Sequence, residues 1–374
     1  MNKSFSLHPE YKMLRNIVLL FFVLFLYSKT AWSLGNCSGT YTADETGERH
    51  NCQTDDTLTV GSVDDSDVEI RNGSSDITVI LNTDENVTIE NYGTINGKNY
   101  TIKVMNSEGA VINNYSTGDI KANKSSAIYL RGPEGIRINN YGTIQADTYG
   151  AIFNDVASEG DIYIHNEGTI RTNTEALGAC GAANLCRSAI GIYGGGGTTT
   201  IVNSGGTIKS TVNSKAAIKV NDTANAIITL NSGTLQSAGS SRDIYILDEG
   251  TETGTTINLG GSPTFTNGID TNNTIVTIVL KNDISAAFSV YIYNSLTKGA
   301  TGLTITDNLP ANYTYSLTEP AEDLDSDDTA DDRILSIVTV PTLSSSSPAD
   351  GATGVGVNDN IVLTFSEAVD AESG

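Results

Sequence analysis

The chain has 374 residues, with 21 Lys or Arg and 44 Asp or Glu. Residues 1–33 hold four basic residues and one acidic residue, so 17 basic and 43 acidic residues follow them, a net charge of −26. Such a surface repels phosphate backbones, which excludes nucleic acid as a partner, and it favours solubility outside the cell.

The chain begins with the pattern of a secretory signal peptide over residues 1–33. A basic stretch is followed by an apolar run of eleven residues, from Ile17 to Tyr27, and by the small-residue exit Ala31-Trp32-Ser33. A membrane anchor is the alternative, but a spanning helix needs about 20 apolar residues. We expect cleavage near Ser33–Leu34, a secreted or bacterial cell-surface protein, and no membrane-spanning segment in the mature part.

Four cysteines follow the signal peptide. An exported chain meets an oxidising compartment, so we expect local disulfides, Cys37 with Cys52 and Cys180 with Cys186. A metal site is the alternative, and it needs cysteines or histidines grouped at ligand spacing. His50 and His165 adjoin no other ligand in sequence. We therefore favour disulfides and expect neither a metal nor a cofactor.

One short word recurs along the middle of the chain. Its copies read Asn91-Tyr92-Gly93-Thr94-Ile95, Asn140-Tyr141-Gly142-Thr143-Ile144 and close variants. The apolar residues that end the copies are 25, 24, 26, 38 and 27 positions apart, and they are Ile95, Ile120, Ile144, Ile170, Ile208 and Leu235. A period of about 25 residues predicts a solenoid. The longest interval contains an insertion at residues 172–187.

A second word shares this period, as in Ala127-Ile128-Tyr129-Leu130 and Ala217-Ile218-Lys219-Val220. Each period therefore holds at least two short strands with alternating inward and outward residues, and stacking pairs every strand with the next coil. We predict an all-β fold, a right-handed parallel β-helix over 58–270 behind an N-terminal cap over 34–57. An all-β sandwich is the alternative, but its strands would not repeat words at a fixed phase.

The repeated word also predicts its own packing. The six apolar residues that end the copies should form one inward stack. The asparagines should pass amide hydrogen bonds from coil to coil. The glycines that follow them should occupy sharp bends with positive φ; they are Gly93, Gly142, Gly168 and Gly233.

These words, together with a cysteine-bracketed segment behind a signal peptide, resemble the passenger domains of bacterial autotransporters. The resemblance covers roughly residues 34–270. It implies export through the outer membrane by a C-terminal β-barrel, and no such barrel follows in the sequence. The absence of a barrel leaves the route of secretion open.

Residues 271–340 depart from the repeat and read as a β-rich connector with an acidic stretch at 319–332. Asp323, Asp325 and Asp327 alternate as in a calcium loop. However, Asp328 stands at the glycine position and Ile334 at the twelfth position of such a loop, where isoleucine cannot bind calcium. We favour a solvated linker and leave calcium binding open.

Residues 341–374 change character again. Ser347-Pro348-Ala349-Asp350-Gly351-Ala352 and Leu363-Thr364-Phe365-Ser366-Glu367 resemble the opening of a bacterial Ig-like domain of the SbsA type. The resemblance implies the first strands of a β-sandwich that needs about 100 residues in full. We expect this segment to be the truncated start of such a domain.

The sequence favours a non-catalytic surface protein, an adhesin-like stalk that displays loops for binding extracellular glycans or surface proteins. Tyr92, Tyr115 and Tyr141 each follow an asparagine, and stacked rings of this kind can bind sugars. A purely structural aromatic ladder is the alternative for these rings. The alternative function is a β-helix polysaccharide lyase or hydrolase, but we find no carboxylate pair at related phases.

Overall fold

The computed structural model shows an all-β chain built as a parallel β-helix. It describes residues 34–37, 39–41, 45–46, 49–53, 56–62, 69–72, 77–82, 85–132, 134–155, 160–173, 188–193, 197–213, 215–221, 225–247, 254–272, 274–294, 303–320, 332–366 and 369. The signal-peptide prediction and the cysteines Cys180 and Cys186 lie outside these ranges.

Each coil passes along three faces, and every face is a ladder of parallel strands, one strand from each coil. The strands of the first face are Leu34–Asn36, Arg49–Asn51, Ile77–Asn82, Tyr100–Met105, Ile128–Arg131, Ile152–Asn154, Ile190–Ile192, Ile218–Asn221, Ile244–Leu247, Ile269–Asp270 and Phe288–Tyr293.

The second and third faces join into one sheet because three long strands turn the corner between them. The second face contains Gly39–Tyr41, Thr57–Val60, Thr88–Asn91, Val111–Asn114, Ile136–Asn140, Ile162–Asn166, Val276–Leu280 and Leu303–Asp307. The third face contains Glu45–Thr46, Glu69–Asn72, Thr94–Gly97, Asp119–Ala122, Thr143–Ala146 and Thr169–Thr172. Three long strands run along both the second and the third face, and they are Thr198–Asn213, Asn225–Ala238 and Thr255–Phe265.

The predicted inward stack of the repeated word is confirmed. Ile95 pairs with Ile120, and the pairing continues coil by coil to Leu235. All six side chains are buried. Each fully buried aliphatic side chain contributes about 1.5–3 kcal/mol to the stability of the fold. The period of the sequence places these residues in the core of the β-helix.

The predicted asparagine ladder is also confirmed. Asn91 Nδ2 donates to Asn114 Oδ1 at 2.7 Å, and Asn114 Nδ2 donates to Asn140 Oδ1 at 2.8 Å. The series continues through Asn166 to Asn203 at 2.8 and 2.7 Å. All five side chains are buried. The ladder thus satisfies polar groups at the bend of each coil, where the strand hydrogen bonds are interrupted.

The glycines of the word are needed mainly for space, which corrects the prediction from φ. Gly233 has a positive φ of 88°, whereas Gly93, Gly142 and Gly168 do not have a positive φ. A Cβ at Gly142 would overlap the carbonyl oxygen of Gly118, and a Cβ at Gly168 would overlap that of Gly142. Consecutive coils approach so closely at this bend that their backbones exclude a side chain.

The stack extends beyond both predicted boundaries. Within the segment predicted as a cap, Leu34–Asn36 pairs in parallel with Arg49–Asn51, so residues 34–57 contribute strands to the same ladders. Past residue 270, Val276–Leu280 and Leu303–Asp307 continue the second face. These late coils lack the asparagine-glycine word, and their strands stay in register with the coils before them.

The C-terminal end of the first face changes direction. Arg333–Thr339 pairs antiparallel with Phe288–Tyr293, and Tyr313–Thr318 pairs antiparallel on its other side. Beyond them, Leu343–Ser347 and Val362–Phe365 form a separate antiparallel hairpin. Leu363 of that hairpin is 50% exposed.

Candidate functional site

The three tyrosines predicted as a glycan-stacking strip lie at the corner between the second and third faces. The rings of Tyr92 and Tyr115 stack with centroids 4.0 Å apart and an interplanar angle of 4°. Tyr141 is 41% exposed, and its ring lies 6.0 Å from the ring of His165, tilted by 55°. The structure therefore brings two of the three tyrosines into one stack and places the third beside a histidine.

Polar side chains continue this corner along the second face. Asn139 Nδ2 donates to Asn113 Oδ1 at 2.8 Å, and Asn113 Nδ2 donates to Glu90 Oε1 at 2.9 Å. Hydrogen bonds to Glu90 and Tyr92 raise the pKa of Tyr115 above its ordinary value, so its hydroxyl stays protonated. We call Glu90, Tyr92, Asn113 and Tyr115 the tyrosine edge. It offers ring surface, donors and acceptors together, the groups that contact sugars.

The cysteines near the mature N-terminus are joined. A disulfide links Cys37 to Cys52, the pairing predicted from the sequence, with Cα atoms 4.5 Å apart. Both residues are fully buried inside the first coils. The second predicted pair lies outside the described residues.

No metal cluster is formed by the residues that the structure describes, where three or more His, Cys, Asp or Glu side chains nowhere converge. Of the acidic stretch at 319–332, residues 321–331 are outside the described ranges. At its two ends, Arg333 Nη2 lies 3.1 Å from Glu319 Oε1, and Asp332 is buried. Within the described part of the chain, no helix is long and apolar enough to cross a membrane.

A cleft that the sequence did not predict lies on the first face near its C-terminal end. Its volume is about 350 Å³, and it is lined by Lys215, Ala216, Lys219, Ser240, Ser241, Arg242, Tyr245 and Asp270. Lys219, Tyr245 and Asp270 occupy the same outward position on three successive strands. Such neighbours are about 4.8 Å apart along a ladder. We call this feature the cationic cleft, because three of its lining residues are basic.

Aromatic rings hold the cations of the cleft. Lys219 Nζ lies 4.9 Å from the centroid of the Tyr245 ring, and Arg242 Cζ lies 3.5 Å from that of Tyr293. Arg242 Nη1 also donates to the carbonyl oxygen of Ser240 at 2.8 Å. Cation–π contacts and this hydrogen bond restrain the basic groups where they line the cleft.

The buried carboxylate of Asp243 positions Asp270, which forms the acidic wall of the cleft. Asp243 Oδ2 accepts the backbone N–H groups of Thr266, Asn267 and Gly268 at 2.7, 2.6 and 3.0 Å. Burial raises the pKa of Asp243, while these hydrogen bonds and that of Ser237 lower it. The three N–H groups belong to the turn that leads into Ile269–Asp270, so Asp243 fixes the backbone that carries Asp270.

Comparisons with known proteins identify the C-terminal segment. Residues 337–374 match the family of bacterial Ig-like domains. Neither the curated proteins nor the solved structures give a match. The Ig-like segment begins close to residue 341, where the sequence predicted it. A parallel β-helix, a bacterial Ig-like segment and a disulfide are together consistent with an extracytoplasmic surface protein of bacteria.

Sequence reasoning found the tyrosines but missed the cationic cleft. Lys219 and Tyr245 are the third residues of two copies of the second repeated word, so their shared outward position was readable from the period. Asp270 and Arg242 were not readable in this way. Asp270 follows the last clear copy of the words, and Arg242 precedes its strand, where the repeat sets no direction for a side chain.

Proposed function

We propose that this chain is a secreted or cell-surface protein of bacteria, a non-catalytic, adhesin-like β-helix stalk that displays binding surfaces away from the cell. The observation that carries the proposal is the uninterrupted coil stack followed by a bacterial Ig-like segment. A parallel stack of this kind gives a regular scaffold on which outward residues line up in rows.

The signal-peptide pattern of residues 1–33 supports the same proposal. The disulfide between Cys37 and Cys52 requires an oxidising compartment to persist. The resemblance to autotransporter passengers in the repeated words suggests outer-membrane display. Protease treatment of intact cells tests the location: we expect the chain to be cleaved from outside, and full protection would contradict surface display.

The tyrosine edge is the surface that we propose for binding neutral sugars. Its two rings stack face to face, so a sugar would contact the ring edges and an outer ring face, and the amides of the adjoining row supply directional hydrogen bonds. The mature protein from Leu34 onward, applied to a panel of immobilised glycans and surface proteins, should bind a subset in a saturable manner. A protein that binds none of them would contradict the adhesin-like function.

Single variants separate the stalk from its binding surface. Tyr115→Ala should abolish glycan binding through the tyrosine edge. Tyr163→Ala is the matched control, because Tyr163 also faces outward on the second face but packs under Arg137, 4.4 Å from the ring centroid to Cζ. Equal binding by the two variants would show that another surface carries the activity.

Glycan cleavage is the second candidate, since the cationic cleft combines Lys, Arg, Tyr and Asp side chains, which can neutralise and deprotonate a sugar acid. Incubating the mature protein with acidic and neutral polysaccharides distinguishes the two functions. We expect no release of oligosaccharides. Release of oligosaccharides by the unaltered protein but not by Tyr245→Phe would contradict the stalk proposal and indicate a lyase or hydrolase.

A further inference from the structure

The cationic cleft differs in charge from the rest of the molecule. The chain without residues 1–33 carries a net charge of −26. By contrast, the lining of the cleft has Lys215, Lys219 and Arg242 against one acid, Asp270. Basic side chains gathered in a concave site attract anions, because the low-dielectric walls strengthen the local field.

The charge of Arg242 interacts with that of Asp270, and its guanidinium keeps hydrogen-bond donors without an acceptor among the described residues. Its Nε is buried and has no hydrogen-bond acceptor among the described residues. Its described polar contact is the donation from Nη1 to Ser240 O, and the ring of Tyr293 covers one face of the guanidinium. A guanidinium presents its remaining donors in a planar fork, which matches a carboxylate.

The acidic wall of the cleft offers an acceptor, since Asp270 is 7% exposed and lies close enough to Arg242 for their charges to interact. Asp270 Oδ1 accepts hydrogen bonds from Asn272 N at 2.9 Å and Asn294 Nδ2 at 3.0 Å. Both of these bonds use the same oxygen, and no donor on the described residues bonds to Oδ2. Ser240 and Ser241 add hydroxyl groups, which can donate or accept. A ligand that fits must therefore carry hydroxyl donors as well as a negative charge.

We propose that the cationic cleft binds a uronic acid residue of an acidic extracellular polysaccharide. The sugar carboxylate lies against Arg242 and Lys219, and its ring hydroxyls donate to Asp270. This inference rests on the proposed binding function and names a site and a ligand class for it. The cleft volume of about 350 Å³ is at the small end of ligand sites, which suits one or two sugar residues.

An acidic peptide fits the cleft less well. Its side-chain carboxylates would pair with the cations, but they bring no hydroxyl donors for Asp270. A uronic acid combines one carboxylate with several hydroxyls on a single ring. The pairing of cations and one acid in the same small cleft therefore favours the sugar acid.

The test is a titration of the mature protein with sodium glucuronate, glucose and sodium acetate at low ionic strength, followed by ligand-observed NMR. We expect glucuronate to bind at least about tenfold more tightly than glucose or acetate, because only glucuronate uses both walls. Added salt should weaken binding, since ion pairs near the surface are screened. Acetate binding as tight as glucuronate, or no glucuronate binding, would overturn the proposal.

Variants locate the site. Lys219→Met and Arg242→Lys should each weaken glucuronate binding by about tenfold or more, since lysine does not reproduce the guanidinium fork. Lys103→Met is the matched control, because Lys103 occupies the same outward column and also lies over a tyrosine ring, 5.7 Å from Tyr129, but lies outside the cleft. Lys219→Met is independent of the partly buried Arg242, so a folding defect in one variant leaves the other informative.

The outcomes also separate this proposal from the proposed function. Failure of glucuronate binding together with retained binding to neutral glycans removes the cleft assignment and leaves the stalk intact. Equal binding by Lys219→Met and Lys103→Met would likewise remove the cleft. Loss of all glycan binding by the unaltered protein would remove both proposals.

Discussion

The buried asparagines carry hydrogen bonds in one direction along the stack. In each, Nδ2 donates to the Oδ1 of the next coil, from Asn91 through Asn114 and Asn140 to Asn203. At Asn203 the next coil presents Leu230, and Nδ2 donates instead to the carbonyl oxygens of Gly206 and Ser232. Because every interior member is both donor and acceptor, removing one affects two neighbours.

Asn140→Leu should therefore destabilise the fold by about 1–3 kcal/mol, the cost of leaving buried polar groups without partners. Leucine has the same branched arrangement of side-chain heavy atoms but cannot form hydrogen bonds, and its methyl groups occupy more space. Asn139→Leu is the control for the added volume, since Asn139 lies next to it but faces outward, and among the described residues its amide donates to Asn113 Oδ1 alone. Urea unfolding measures both free energies. Equal losses would show that the ladder adds nothing specific.

Asp119 interrupts a column of threonines on the third face. Its partners in register are Thr94 and Thr143, and its Oδ1 is buried without a hydrogen bond from any described residue. Burial raises the pKa of Asp119, although Lys121 and Arg171 oppose the change. The fold therefore favours the neutral acid, so ionisation at neutral pH costs stability.

Asp119→Thr should stabilise the protein at pH 7, because it removes the cost of ionisation and continues the column of threonines. The gain should not exceed about 1 kcal/mol, because solvent screens charges at this half-exposed site. The gain should shrink as the pH falls through the raised pKa, where Asp119 takes up a proton in the folded state. Asp119→Asn separates charge from shape. Thermal unfolding at several pH values measures the effect, and a gain that grows towards acid pH would contradict it.

The elements at the two ends of the coil stack determine whether its open strand edges are covered. Open strand edges invite pairing with other chains, and a β-helix has one at each end. At the N-terminal end the disulfide closes a loop with a sequence separation of 15 residues, between the first coils. At the C-terminal end the antiparallel strand Arg333–Thr339 covers the edge of Phe288–Tyr293.

Cys52→Ala should lower stability by about 3 kcal/mol, the entropic value for a loop of this size. The loss should be local, because unfolding begins where no coil stacks on one side. Hydrogen exchange should accelerate in Leu34–Asn36 and Arg49–Asn51 while the coil of Asn140 stays protected. The double variant with Cys37→Ala should behave like the single one. Uniform loss of protection would contradict an end effect.

Leu335→Asp should open the C-terminal edge. Leu335 is fully buried between Val290 and Leu317 in the antiparallel sheet, so a charge there costs several kcal/mol, about 3 or more. We expect self-association through the uncovered strand, detected by light scattering. Ser336→Asp is the control on the outward side of the same strand, with a hydrogen bond from Ser289 Oγ at 2.9 Å. A monomeric Leu335→Asp would show that this strand is not needed as a cover.

At the scale of the whole molecule, the sequence predicted what depends on the period and missed what depends on three-dimensional proximity. The inward stack and the asparagine ladder follow from repeated words, because equal intervals place equal residues on one face. The role of Gly142 was misjudged, since contact between adjacent coils does not appear in a single copy of the word. The end of the stack was set too early, because Val276–Leu280 keeps the alternation without the word.

Paired spin labels along one outward column test the coil stack most directly. Asn96 and Gln236 are five steps apart in register, through Lys121, Gln145, Arg171 and Lys209. Labels introduced through an unnatural amino acid leave the native cysteines untouched. Pulsed electron paramagnetic resonance should give about 24 Å between positions 96 and 236, and about 19 Å between 96 and 209, one coil less. Distances that do not grow by about 5 Å with each coil would contradict the parallel β-helix.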